Sequence, residues 1–357
     1  MKKIFSDYFP LPKFLEMRPM GLAITGHYVH VVEFVQKGHG IALGRYGSRR
    51  IPSGVIQDGY VNDKPAITEI LKSLQKELSM EFVRATLPEE KVYLFKTEIP
   101  KEAAGNLREA IELRLEENVP IAPADVIFDY AVIPGSEKSD HFDVSVSALP
   151  SKVVSTYLDI IKEAGLKPVS FNVEASALRR AMIPKGSLDT FMIVNVREVH
   201  TALSIVSKGV VQISLMIPIG GAALTEALAK HFSIDNEEAK KIKEERGFVK
   251  NSDNMELFFA IPNTISAIKD EVNKLLVYWQ THKKPSGTDV ERVDKIILCG
   301  RDANFVGFDE YLSSAMKIPT EIGNVWRNAF SFDDCIPEIS HLDSLDYARA
   351  IGLALPQ

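Results

Sequence analysis

Eight histidines and two cysteines are the side chains of this 357-residue chain best suited to ligate a metal ion or attack an electrophile. Their spacing supports neither. His27 and His30 share one hairpin and read as surface residues, while Cys299 and Cys335 stand alone, with no ligand spacing and no disulfide framework. No G-x-S-x-G elbow, Walker lysine loop or H-E-x-x-H helix occurs. Gly38-His39-Gly40, followed by Gly44, misses the G-x-G-x-x-G spacing and reads as a turn. Lys240 to Arg246 is a mixed-charge run of the kind found on a solvated helix face. The stronger signal is a doubled unit: Gly21 to Gly38 and Met192 to Gly209 each read as apolar strand, short polar turn, second apolar strand and Lys-Gly stop. A duplication of this kind implies two similar lobes facing each other, with both turns directed into the cleft between them.

The elements that would position these turns follow from periodicity. After the first hairpin come a strand at 41–46 and a helix at 66–78 with Ile67, Ile70, Leu71, Leu74 and Leu78 on one face. A strand at 92–99, a helix at 104–118 and strands at 126–133 and 142–149 form a compact insert. Pro120 and Pro123 close its helix because proline cannot continue the hydrogen-bond ladder. A helix at 153–164 stops at Gly165, and a strand at 168–171 leads into a helix at 175–181. Beyond the second hairpin, helices are expected at 224–231, 236–245 and 264–281. Asp235 is placed to cap the second of them, with Glu238 to reciprocate. A polar surface loop at 283–291, a buried strand at 293–299 and a small-residue helix at 347–355 complete the reading. Strands followed by helices in two halves define an α/β chain.

Composition bounds the function. The chain is long enough for two cores, and 45% hydrophobic with 25% charged residues is the balance of a globular protein. A net charge of −6 gives no electrostatic reason to expect nucleic acid. Cysteine usage fits a reducing compartment. The least charged stretch, Val210 to Thr225, is punctuated by Gln212, Pro218 and Gly220-Gly221. It reads as strand, turn and helix start and not as a membrane span. Residues 1–18 carry no signal-peptide pattern and are expected to be a loose terminal arm.

Six segments in register, Gly21–Phe34, Ile111–Gly135, Tyr157–Leu178, Ile217–Lys243, Ile297–Trp326 and Tyr347–Leu355, resemble the PilM family of actin-like proteins of type IV pilus assembly. The resemblance implies an actin-like, ribonuclease H-like fold of two lobes with an inserted FtsA-type subdomain. Its first lobe would span 19–186 with the insert at 83–165, and its second 187–357 with a helical subdomain at 222–290. It also implies a cytoplasmic scaffold, peripheral to the inner membrane through a partner. That partner is the cytoplasmic tail of an inner-membrane PilN-like protein, bound as an extended peptide. Other pilus assembly proteins would be further partners, with no nucleic acid and no direct membrane insertion. An FtsA-like membrane tether would need a terminal amphipathic helix, and the sequence stops at Leu355-Pro356-Gln357 right after its last expected core helix.

The resemblance also locates a nucleotide pocket and shows it altered. Such sites use glycine-rich turns whose amides approach the phosphates, and aspartates that hold Mg²⁺. Where Asp-Ile-Gly-Ser is usual, this chain has Ala23, Ile24, Thr25 and Gly26; where Asp-Ile-Gly is usual, it has Asn195, Val196 and Arg197. A Gly-Gly pair becomes Gly300-Arg301, followed by Asp302, Ala303 and Asn304, and an Ala-Glu-x-x-Lys becomes Ala239 to Lys243 with lysine replacing glutamate. Thr25, Gly26, Asn195, Arg197, Gly220, Gly221, Lys243, Gly300 and Asn304 are therefore expected to mark a degenerate nucleotide pocket with no catalytic residue, no metal and no ATP hydrolysis. One alternative is a site rewired to bind ATP without hydrolysing it, with Arg197, Lys240 and Lys243 neutralising the phosphates; another is an active or nucleotide-gated ATPase of the same machine that retains ATP and Mg²⁺.

Overall fold

The doubled unit is realised as two hairpins at the centres of two sheets. The computed structural model describes residues 18–356 except 39, 136–139, 247–261, 282–291 and 304. The expected arm, apart from Arg18, and the expected loop at 283–291 lie outside the described residues. Strands β1 (Met20–Ile24), β2 (Tyr28–Lys37) and β3 (Gly40–Arg50) form an antiparallel meander. Helix α1 (Lys64–Leu78) starts where the Asp63 side chain accepts the Ala66 amide, buries Ile67, Leu71, Leu74 and Leu78, and stops at a left-handed Ser79. It returns the chain to β4 (Phe82–Leu87), parallel to β1.

The insert follows as β5 (Tyr93–Pro100), α2 (Leu107–Asn118), β6 (Val126–Val132) and β7 (His141–Pro150), with sheet order β5-β7-β6. Ile99, Phe128, Val144 and Val146 on one face of that sheet pack on Ile111 and Leu115 of α2. Helix α3 (Ser151–Glu163) and strand β8 (Lys167–Val173) then rejoin the first lobe, and α4 (Glu174–Met182) crosses toward the second.

The second lobe repeats the plan. Strands β9 (Thr190–Val196), β10 (Thr201–Ser207) and β11 (Val210–Ile217) form its meander, followed by α5 (Gly221–Phe232), α6 (Asn236–Arg246) and α7 (Pro262–Thr281). Asp235 caps α6 by accepting the Glu238 amide at 2.8 Å. Strand β12 (Lys295–Cys299), helix α8 (Phe308–Met316), strand β13 (Thr320–Ile322) and helix α9 (Ala348–Ala354) complete the chain. The sheet orders are β3-β2-β1-β4-β8 and β11-β10-β9-β12-β13, the same topology twice.

Two boundaries differ from expectation. The insert was placed at 83–165, but β4 pairs with β1, and Val153, Tyr157 and Ile160 of α3 pack into the first-lobe core. The inserted sheet itself runs from Tyr93 to Pro150. The second lobe was expected to run through 357, yet Ala350, Ile351 and Ala354 of α9 share a cluster with Ala175 and Leu178 of α4, Ala23 of β1 and Ile193 of β9. That cluster packs α4 and α9 between the sheets and holds the lobes together.

Candidate functional site

The cleft lies at the carboxyl ends of the parallel strands of both sheets, where open α/β sheets place their ligands. It has a volume of about 1040 Å³ and is lined by Thr25, Gly26, Arg197, Lys243 and Gly300 among others. At the first turn the Thr25 hydroxyl accepts the amides of His27 (3.4 Å) and Tyr28 (3.0 Å) and donates to the Tyr28 carbonyl (2.9 Å). Those two amides are thus turned onto the hairpin itself. Ala23 is buried one residue before the end of β1.

The second turn is closed in a similar way. The carbonyls of Arg197 and Glu198 accept the amides of Gly221 and Ala222, each at 2.8 Å. These are the first amides of α5, the groups a helix N-terminus would otherwise offer to a phosphate. Asn195 is buried below the turn. Gly300 approaches it so closely that a Cβ there would lie 2.7 Å from Asn195 Oδ1 and 2.2 Å from the Val196 carbonyl oxygen. Asn304 lies outside the described residues.

Arg197 is the centre of a buried charge network. Its guanidinium lies 3.4 Å from Glu174, at the start of α4, and 3.4 Å from Glu90. Arg349 of α9 reaches Glu174 Oε2 at 3.1 Å, an oxygen it shares with Arg197. Burial alone would raise the Glu174 carboxyl, but Arg197 and Arg349 outweigh it and hold the group ionised, below its ordinary range. Burial likewise opposes the charge on Arg197, and Glu174 and Glu90 overcome it. Beside them Glu89 accepts a hydrogen bond from Ser214 of β11 and another from the Ala175 amide.

Burial, reinforced by the charge on Glu174, pushes Glu89 up from 4.5 to about 7. Because this folded-state value is raised, its contribution to stability is complete below pH 4.5 and is lost as pH rises to about 7. Glu89→Gln should therefore show a flatter denaturation profile between those values and exceed the wild type in stability at pH 8, measured by urea unfolding.

The solvated-face reading of Lys240 to Arg246 fails at Lys243, which lines the cleft. It is buried, and its Nζ donates to Asp302 Oδ1 (2.6 Å), Thr225 Oγ1 (3.1 Å) and the Gly221 carbonyl (3.3 Å). All three ammonium donors are committed to joining α5, α6 and the turn after β12. His30 also departs from the surface reading. It is buried edge-on to Tyr347, and burial, aided by Arg349, lowers it to about 3, so it stays neutral.

Glu89, Glu90, Glu174 and Arg349 carry no motif. One signal for the first two exists in the duplication: Glu89–Lys91 after β4 and Arg301–Ala303 after β12 are equivalent single 3₁₀ turns. Among the described residues lining the cleft, ten Asp and Glu side chains face six Lys and Arg side chains. The lining is therefore acidic on balance, which disfavours a polyanion.

Two lobes of identical sheet order, joined by crossing helices over a shared cleft, define an actin-like protein. Residues 21–357 match the family model for the type IV pilus assembly protein PilM, and the chain belongs to that family. Among solved structures it is similar to the PilM-PilN type IV pilus biogenesis complex, with 23% identity and TM-score 0.75 over 95% of this chain and 98% of that one. It also resembles the ethanolamine utilization protein EutJ from Carboxydothermus hydrogenoformans (16% identity, TM-score 0.55, 97% and 90% covered). A third similar structure is MreB5 of Spiroplasma citri bound to ADP (16%, TM-score 0.53, 87% and 93% covered). No curated protein matches the chain.

Proposed function

We propose that this protein is a scaffold of a type IV pilus or related secretion machine. It holds the cytoplasmic tail of a PilN-like inner-membrane protein and hydrolyses no ATP. The observation that carries the second half is the clamping of Glu174 between Arg197 and Arg349. A carboxylate held ionised by two guanidinium groups is poorly placed to take a proton from an attacking water. Mg-ATP does not fit the residues present: Ala23 and Asn195 offer no carboxylate to Mg²⁺, the turn amides are spent on the protein, and the lining is acidic.

The partner reading rests on family membership and on likeness to a structure described as a PilM-PilN complex. Among the described residues no helix is long and apolar enough to cross a membrane. Membrane association through a partner, on the cytoplasmic side, follows from the same proposal. Calorimetry with Mg-ATP should give no heat of binding, and a micromolar dissociation constant would overturn that half. Fluorescence anisotropy with labelled cytoplasmic tails of membrane proteins encoded beside this gene should find one that binds. Failure of every tail would remove the scaffold reading.

A further inference from the structure

The insert carries ligand-type side chains away from the cleft. Glu98 of β5 and Asp143 of β7 are direct cross-strand neighbours, and His141 stands two residues before Asp143, on the same face. Two carboxylates directly opposite each other repel, and Asp143 is buried, so this face favours cationic neighbours, of which Lys96 is one. His141 Nε2 lies 3.7 Å from Glu98 Oε1 and 3.8 Å from Asp143 Oδ1. These separations are too long for hydrogen bonds. They are near the edge of a small tetrahedron, since ligand atoms about 2.0–2.1 Å from one zinc ion lie roughly 3.4 Å apart. One ligand atom from each of the three residues falls within 4.8 Å of the others.

Orientation comes from Asp140, whose Oδ1 lies 2.8 Å from His141 Nδ1. In the tautomer with its proton on Nδ1, that carboxylate would accept it and leave the Nε2 lone pair for a metal, the outer-shell arrangement that supports metal-bound histidines. Lys96 Nζ sits 4.0 Å from the other Asp143 oxygen, Oδ2. Two residues further along β7, the Ser145 hydroxyl donates to the Val211 carbonyl of β11 at 2.7 Å. The cluster thus sits beside the contact that joins the insert to the second lobe.

We propose that Glu98, His141 and Asp143 bind one divalent transition-metal ion, zinc by donor set, with Asp140 as a positioning residue. One nitrogen and two oxygen donors suit zinc, whereas magnesium prefers all-oxygen sites. An ion held here ties β5 to β7 next to the second lobe and stiffens the insert against it.

The test uses the untagged full chain, stripped with a chelator, titrated with Zn²⁺ by calorimetry and with Co²⁺ by visible absorption. One ion per chain is expected. His141→Ala and Asp143→Asn should each weaken binding at least tenfold, and Asp140→Asn by about 10–100-fold. Glu98→Gln, at a half-buried position, serves as the variant least prone to misfold, and it too should weaken binding at least tenfold. His231→Ala, at an exposed histidine elsewhere, should leave it unchanged. The assignment is overturned if the wild type takes up no zinc, or if the Glu98, His141 and Asp143 variants bind as tightly as the wild type.

Discussion

Replacing Glu174 by alanine is expected to destabilise the folded chain by about 3–5 kcal/mol, because it strands two buried guanidinium groups without their shared counter-charge. Arg197 and Arg349 both pair with this carboxylate, and all three side chains are at least largely withdrawn from solvent. The cost is one of abandonment, not of a lost bond. Desolvation has already been met for the arginines in the wild type, and the variant leaves it uncompensated. Glu174→Gln keeps the shape and some hydrogen bonding but not the charge, so it should lose less. Arg197→Met combined with Glu174→Leu should recover part of the loss by replacing the pair with apolar volume. Urea unfolding of the wild type and the three variants measures all of this. A loss below about 1 kcal/mol in the alanine variant would mean that the network is hydrated and that the cleft floor is not locked.

Gly300→Ala should cost about 2–4 kcal/mol through two additive causes. Its φ of +84° lies in the left-handed region, and its Cβ would come within 2.2 Å of the Val196 carbonyl oxygen, a backbone atom that cannot swing away. Gly54 separates the two causes. Its φ is +83°, but an added Cβ meets nothing within 4 Å, so Gly54→Ala carries conformational strain alone. The difference between the two variants in calorimetric Tm is therefore the cost of the clash. In the Gly300 variant the turn at 301–303 should shift and the Lys243–Asp302 pair should open. An equal effect at both positions would show that close approach at Gly300 does not matter.

The helices and hairpins were legible because their causes are local. The apolar stripe of 66–78 and the Asp235 cap predict elements that the structure forms as α1 and α6, within a few residues. Boundaries between sub-structures were less legible. An apolar run such as Phe82–Leu87 looks alike in the first-lobe sheet and in the insert, and only pairing with β1 assigns it. The surface reading of His30 and the solvated-face reading of Lys243 differ from the structure for a related reason. A histidine beside a turn and a lysine in a charged helix are solvated in most settings, and here Tyr347, Asp302 and Thr225 arrive from distant segments to cover them.

The sequence by itself determined the doubled α/β plan, the family resemblance, and the absence of carboxylates at positions 23 and 195, because repeats, periodicity and residue type are properties of the linear chain. Only the tertiary structure decided what fills the cleft instead. Glu174 and Arg349 are 175 positions apart, and their meeting depends on α9 crossing back over α4. Coulomb attraction between buried groups falls on whichever charges the fold brings within a few ångströms, and that distance is written in the packing of two sheets and two helices, not in any local pattern.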